Sequence, residues 1–336
     1  MLCRIGVVYI KPFFGERMDH RKIFFFGTGD GHVIAMTGGQ GWCDKYAGSG
    51  WDTMDPVSEK DGRPSYPPGK EPWADHMRLL DGEGALQGAI SFLGRYSTYA
   101  TREILKTGLG IDDSSSREGV DSRLWVIFYP ELKHVGSLTA FILTNTSWDH
   151  RPITEEWYRN LSDPDVQSIR IVQPYITDPV FRTKLKQAVE AGKNIKILFP
   201  GKSDSVPSQY ATKYLLSDMA KIHASLKAAG RPIGALEFRQ WQTADNMPQM
   251  IHMKYGIFLH KKAAERDMII DGSYNATAVE GRSGEVNSDI VVVDHRVAVE
   301  AAMVFDDYFN RAGTFDCSAF EKISGAAAAI ILRPFM

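Results

Sequence analysis

Two segments of the chain repeat each other around a His-x-Lys triplet. The first runs His20-Arg21-Lys22, an apolar run, a Thr-Gly-Asp-Gly turn, and a second apolar run ending at Gly38-Gly39. The second runs His252-Met253-Lys254, an apolar run, a polar turn, and a run ending at Gly272-Ser273-Tyr274-Asn275. Each reads as a β-hairpin with His and Lys at the start of one strand. Alternate side chains of a strand share a face, so each His projects with its Lys. Two such units facing each other place two imidazoles and two ammonium groups around one site. That set suits a phosphate diester, which is anionic and resists anionic nucleophiles. A neutral imidazole can attack at neutral pH. A second, protonated imidazole can donate to the leaving alkoxide. Lys22, Lys254 and Asn275 can offset the charge on the phosphoryl oxygens, and Ser273 can bond a non-bridging oxygen. The two imidazoles are expected within about 8 Å of each other, because one phosphate must reach both.

A lone His-x-Lys carries little information; the repetition in matching contexts carries it. His260-Lys261-Lys262 also fits the triplet, but it falls in the turn of the second hairpin and reads as a solvated basic loop.

The elements that must hold these residues are clearest in the second half. Ile169 to Val172 is an apolar strand. Asp178-Pro179 opens a helix, with Asp as N-cap and Pro in the first turn. Phe181, Leu185 and Val189 share a face, and Gly192 ends the helix. Ile195 to Phe199 is the next strand, followed by the loop Pro200 to Ser208. A helix over 209–229 is expected to bury Tyr210, Tyr214, Met219, Ile222 and Leu226. Leu236 to Phe238 precedes the His252 hairpin, Ile290 to Val293 is a further strand, and a helix from about Val297 to Phe309 closes the unit. Strand–helix alternation predicts an α/β layered sheet with helices on its faces. Residues 50–72 read as a long Gly/Pro-rich loop.

The chain has 336 residues, 43% apolar and 24% charged, with a net charge of −2. Those values fit a globular protein and lack the basic footprint of a nucleic-acid binder. Cys3, Cys43 and Cys317 are too scattered for a disulfide framework or a metal cluster, so no metal or cofactor is expected. No signal peptide or spanning segment is evident, which favours a cytoplasmic or peripheral-membrane location.

These features resemble the phospholipase D superfamily, whose signature is H-x-K followed by G-S-x-N, present twice. Its cardiolipin-synthase-like branch is the nearer likeness. "GGQGWCDKY" and "PWADHMRLLDGEGALQGAISFLGRY" resemble the end of that family's first half. "SIRIVQPYITDPVFRTKLKQAVEAGKNIKILFPGKSDS" resembles the opening of the second, and "GSYNATAVEGRSGEVNSD" its G-S-x-N…R-S…N-x-E stretch. The resemblance implies two pseudo-symmetric α/β halves: residues 1–110, a linker over 111–122, and residues 123–336. Only 19 residues precede His20, so the first half is expected to be truncated at its N-terminus, with an open sheet edge or a partner chain there.

The resemblance further implies phosphatidyl transfer from a phospholipid to an alcohol, or hydrolysis by water, through a phosphohistidine. His20 would be the nucleophile and His252 the general acid and then base, with peripheral membrane contact. A carboxylate would stand behind each His: Asp289 in the second half, with Glu285 as its rival, and Asp75 in the first. Gly39, Gln40, Gly272, Arg282 and Asn287 would bind substrate. The chain departs from the pattern where Gly27 and Leu259 replace an Asp five positions after each Lys, and Gly41 replaces the first-half Asn. Two alternatives stand beside this reading. One is a phosphodiesterase acting on nucleic acid, which the net charge disfavours. The other is a catalytically degenerate binding protein, which the departures favour.

Overall fold

The computed structural model describes residues 22–27, 33–38, 58–60, 63–65, 74–81, 85, 139–145, 151–242, 246–277 and 287–317. His20, Gly39, Gln40, Arg282, Glu285 and the expected linker over 111–122 lie outside them.

In chain order the strands are β1 (Ile23–Gly27), β2 (Val33–Gly38), β3 (Ser58–Lys60), β4 (Arg63–Ser65), β5 (Met77–Asp81), β6 (Thr139–Asn145), β7 (Val166–Val172), β8 (Asn194–Pro200), β9 (Leu236–Trp241), β10 (Tyr255–His260), β11 (Met268–Gly272), β12 (Asn287–Val293) and β13 (Gly313–Thr314). The helices are α1 (Pro152–Ser162), α2 (Pro179–Glu190), α3 (Val206–Ala228) and α4 (His295–Arg311).

Eight strands form one mixed sheet in the order β13-β9-β8-β7-β10-β11-β12-β6. β7, β8 and β9 run parallel, and β10, β11, β12 and β6 continue the sheet antiparallel. Alternation along the strands sends side chains to two faces. Ile169, Ile171, Ile195, Ile197, Phe258 and Ile270 pack with Trp157, Phe181, Leu185 and Leu215 of α1, α2 and α3. Val172, Leu198, Tyr255, Ile257 and Ile269 pack with Ala298, Phe305 and Phe309 of α4. The result is the expected α/β layering with helices on both faces.

Local signals placed the helices well. The Asp178 side chain accepts from the Val180 amide at 2.8 Å, Pro179 occupies the first turn, and Gly192 follows at φ +74°. α4 is capped by the Asp294 side chain, which accepts from the Val297 amide at 2.9 Å. The buried face of α3 includes Met219, with Ile222 and Leu226 partly buried against the core as expected, and departs from the expectation at Tyr210. Leu215, Leu216 and Met219 are buried, whereas Tyr210 is exposed. Its tyrosines are amphipathic and sit at the rim, while the aliphatic residues enter the core.

The described first-half residues form a three-stranded antiparallel sheet, β1-β2-β5, with the Ile23↔Thr37 register of the expected hairpin. β2 packs against β11 and β12, and β5 against β11. The expected loop over 50–72 contains the small hairpin β3–β4.

Candidate active site

The site lies at the edge of the sheet where parallel β7 and β8 end and β10 begins. Crevices at that edge are the usual place for ligands in α/β sheets. His252 and Lys254 stand in the extended chain just before β10, two residues apart, and their side chains meet as the alternation required. Both are buried, Lys254 completely.

His252 does not find its carboxylate in its own half. Its Nδ1 lies 2.9 Å from Oδ2 of Asp75, which sits just ahead of β5. Asp75 was expected behind His20; in the structure it faces His252. The backbone explains the placement. The Ala74 amide donates to the Met250 carbonyl at 3.0 Å, and the His252 amide donates to the Ala74 carbonyl at 2.7 Å. These bonds stitch residues 74–75 alongside 250–252. Burial pushes the Asp75 carboxyl up to about 6, although Lys254 pulls it down, so it is mostly ionised at neutral pH.

With Asp75 on Nδ1, the imidazole proton sits on Nδ1 and the Nε2 lone pair is the reactive one. Lys254 Nζ lies 2.9 Å from each ring nitrogen and donates to the His252 carbonyl at 2.6 Å. Its ammonium therefore sits equally close to both ring nitrogens.

Ser273, Asn275, Asn287 and Asp289 are buried together. The Ser273 hydroxyl donates to Asn287 Oδ1 at 3.1 Å and accepts from the Ser288 amide at 3.0 Å. The Ser273 and Tyr274 amides donate to Asp289 Oδ1 at 2.8 and 3.1 Å. Asp289 was expected behind His252; instead it braces the Gly-Ser-Tyr-Asn turn. Its Oδ2 is buried with no hydrogen-bond partner among the described residues. Burial pushes its carboxyl up to about 7, against the pull of the Tyr274 amide. The Lys254 charge acts on both Asp75 and Asp289, so the two carboxylates converge on one cation.

Gly272 was expected to touch substrate. Its α-carbon faces Asp289 instead: a Cβ there would lie 2.3 Å from Asp289 Oδ1 and 2.4 Å from the Ser288 carbonyl. Gly272→Ala should therefore part β11 from β12 and cost about 1–3 kcal/mol. Urea denaturation checks this, and an unchanged midpoint would show that the strands separate freely. Lys22 is half-buried just ahead of β1.

His260 is not the solvated loop residue expected. Its side chain is fully buried, and its backbone amide and Nδ1 lie 2.6 and 3.2 Å from Asp267 Oδ1. The Asp267 carboxylate also holds His295 at 2.7 Å, tying the far end of the hairpin to α4. No cluster of three metal-ligating side chains occurs among the described residues. No described helix is long and apolar enough to cross a membrane.

The sequence reading missed three residues beside the site. Asp271 Oδ2 lies 2.6 Å from His76 Nε2 and 2.5 Å from Arg78 Nε. The signal was present: an acid closing the apolar run Met268-Ile269-Ile270, and polar residues at alternate positions after Asp75.

Comparison with known proteins agrees with this geometry. Residues 160–312 match the sequence family described as cardiolipin synthase, PLD-like domain. Residues 160–312 are thus similar to phospholipase D-like domains. The phosphatidylserine synthase of Haemophilus influenzae Rd KW20 is similar in fold, with a TM-score of 0.52 at 12% identity over 94% of this chain and 68% of that one. Nuc, a phospholipase D family member from Salmonella typhimurium, aligns over 53% of this chain and 99% of its own, at 12% identity and a TM-score of 0.38. No curated protein sequence matches the chain significantly. The α/β phospholipase D-like fold is thus the observed one.

Proposed function

We propose that this protein cleaves a phosphodiester through a phosphohistidine and passes the phosphoryl group to an alcohol or to water. The observation that carries this reading is His252, held by the buried Asp75 at 2.9 Å with the Lys254 ammonium 2.9 Å from both of its ring nitrogens. In the reaction, His20 Nε2 attacks phosphorus while the bond to the leaving alkoxide breaks. Protonated His252 gives its Nε2 proton to that alkoxide. Neutral His252 then takes the proton of the acceptor hydroxyl, whose oxygen displaces His20 from phosphorus. Asp75 stabilises the imidazolium and fixes its tautomer, the part a carboxylate plays behind a catalytic histidine. The incoming phosphate takes over the Lys254 ammonium and draws it away from the imidazole. Lys22 and Asn275 share the phosphoryl charge.

Phospholipids are the favoured substrates. The matching family and the phosphatidylserine synthase are both named for making phospholipids, and the net charge of −2 disfavours a polyanion. The test is incubation with phosphatidylglycerol or phosphatidylcholine plus an alcohol, and separately with single-stranded DNA. A new phosphatidyl alcohol supports the reading. DNA cleavage without lipid turnover moves the substrate to nucleic acid, and no turnover of either overturns the proposal.

The lysines fill the place that cations take in metal-assisted phosphoryl transfer. A chelator is therefore expected to leave the rate unchanged. Loss of activity with the chelator and recovery with a divalent ion would contradict this.

A further inference from the structure

We infer that Asp271, acting through His76 and Arg78, is a positioning residue that sets Asp75 against His252. The inference rests on the assignment of Asp75 as the carboxylate behind His252.

Asp75 stands just ahead of β5 of the three-stranded sheet, whereas His252 stands just ahead of β10 of the eight-stranded one. Backbone stitching by Ala74 fixes the height of Asp75 but not the direction of its carboxylate. That direction is set one residue later. The His76 amide donates to Asp75 Oδ1 at 2.8 Å, which leaves Oδ2 for His252. The His76 side chain turns the other way and meets Asp271 at 2.6 Å. Arg78, two positions on and on the same face, meets the same oxygen at 2.5 Å. A continuous path therefore runs from the Asp271 carboxylate through the His76 ring and amide to Asp75 and then to His252.

Asp271 is built into this place. It is 1% exposed and pairs across β10–β11 with Tyr255, the residue next to Lys254. The Tyr255 ring packs on His76 with centroids 5.1 Å apart and lies under the Arg78 guanidinium at 5.9 Å. Burial alone would raise the Asp271 carboxyl, but His76 and Arg78 hold it below the ordinary carboxylate range, so it stays an anion between two donors. A surface ion pair would be weak and replaceable. A buried anion with two fixed donors on one strand restrains that strand in both position and twist.

The test uses the whole chain with its histidine rings labelled with 15N. In the parent, His252 should show the Nδ1–H tautomer over a wide pH range. Asp75→Asn should weaken that preference, and Asp271→Asn should do the same at a distance while the protein keeps its fold and melting cooperativity. On a phosphodiester substrate, Asp271→Asn should lower kcat by about 10–100-fold, the usual cost of losing an orienting partner, with KM little changed. Adding Asp271→Asn to Asp75→Asn should bring little further loss, since both act on one contact. Arg78→Lys should recover part of the rate that Arg78→Met loses. If Asp271→Asn does not fold, the His76→Gln and Arg78→Met variants carry the same His252 measurement. An unchanged His252 tautomer in every folded variant overturns the inference, as does an unchanged tautomer in Asp75→Asn. Because the spectroscopic signal needs no turnover, an inactive parent would sink the proposed reaction while the positioning role is still decided.

Discussion

His252→Ala is expected to slow turnover of a phosphodiester with a poor leaving group by about 10²–10⁴-fold, the usual worth of general acid–base help. With a good leaving group the loss should shrink, because the departing alkoxide needs no proton. His20→Ala should abolish turnover outright, since no other group is assigned to the covalent phosphoryl intermediate. Asp75→Asn should resemble His252→Ala. It should also remove the acid limb of the rate profile, because protonation of Asp75 near pH 6 takes away the acceptor for His252 Nδ1–H. Mass spectrometry of phosphohistidine on each variant decides the roles. A label retained on His252 in His20→Ala would reverse them. No label on either histidine, with an inactive parent, would favour the degenerate binding protein that Gly27, Leu259 and Gly41 suggest.

Asp289→Asn should gain stability relative to the parent as the pH rises. In the folded protein the Asp289 carboxyl is pushed up to about 7 from an ordinary 3.8. A raised native pKa means that the folded state binds the proton more tightly than the unfolded one. The stability this proton brings is fully present below about pH 4 and is lost as the pH passes through about 7. A shift of roughly 3 units corresponds to about 4 kcal/mol. Asparagine keeps an oxygen for the Ser273 and Tyr274 amides and cannot ionise. The gap between variant and parent should therefore move by about 4 kcal/mol in the variant's favour between pH 4 and pH 8. Urea denaturation at the two pH values measures it, and a gap independent of pH would show that Asp289 is ionised throughout. Asp271 works in the opposite sense, since its carboxyl is held low. Its contribution is present above the ordinary carboxylate pKa and is lost as the pH falls through the depressed value. Comparison with the parent cancels that contribution.

A stable variant with impaired turnover would show what the site costs. Asp75 and Asp289 are buried carboxylates acting on one lysine, and Asp271 is buried between His76 and Arg78, an arrangement unfavourable for folding and suited to holding imidazoles in defined protonation states.

The repeated His-x-Lys, the Gly-Ser-Tyr-Asn turn, the α2 cap at Asp178-Pro179 and the apolar strands were all legible along the chain, because each is a local pattern. Strand alternation alone predicts that His252 and Lys254 meet, and they do. Which carboxylate faces His252 was not legible. Asp75 lies 177 residues away, and the contact depends on backbone bonds between residues 74 and 250–252 that no local pattern announces. The likeness assigned Asp289 to that place by assuming that each half serves itself. The three-stranded sheet packs against β11 and β12 of the larger one, and Asp75 reaches His252 from there. The same limit hid Asp271. In the sequence it is an acid after two isoleucines, and its role exists only where β5 brings His76 and Arg78 across the seam. His260 was misjudged for a related reason: turn composition predicts exposure, but Asp267, just ahead of β11, closes on it. Residue types and their spacing thus determined what chemistry the chain can offer. The packing of the two sheets decided which groups share a proton, because hydrogen bonds and buried charge depend on distance in space and not on distance along the chain.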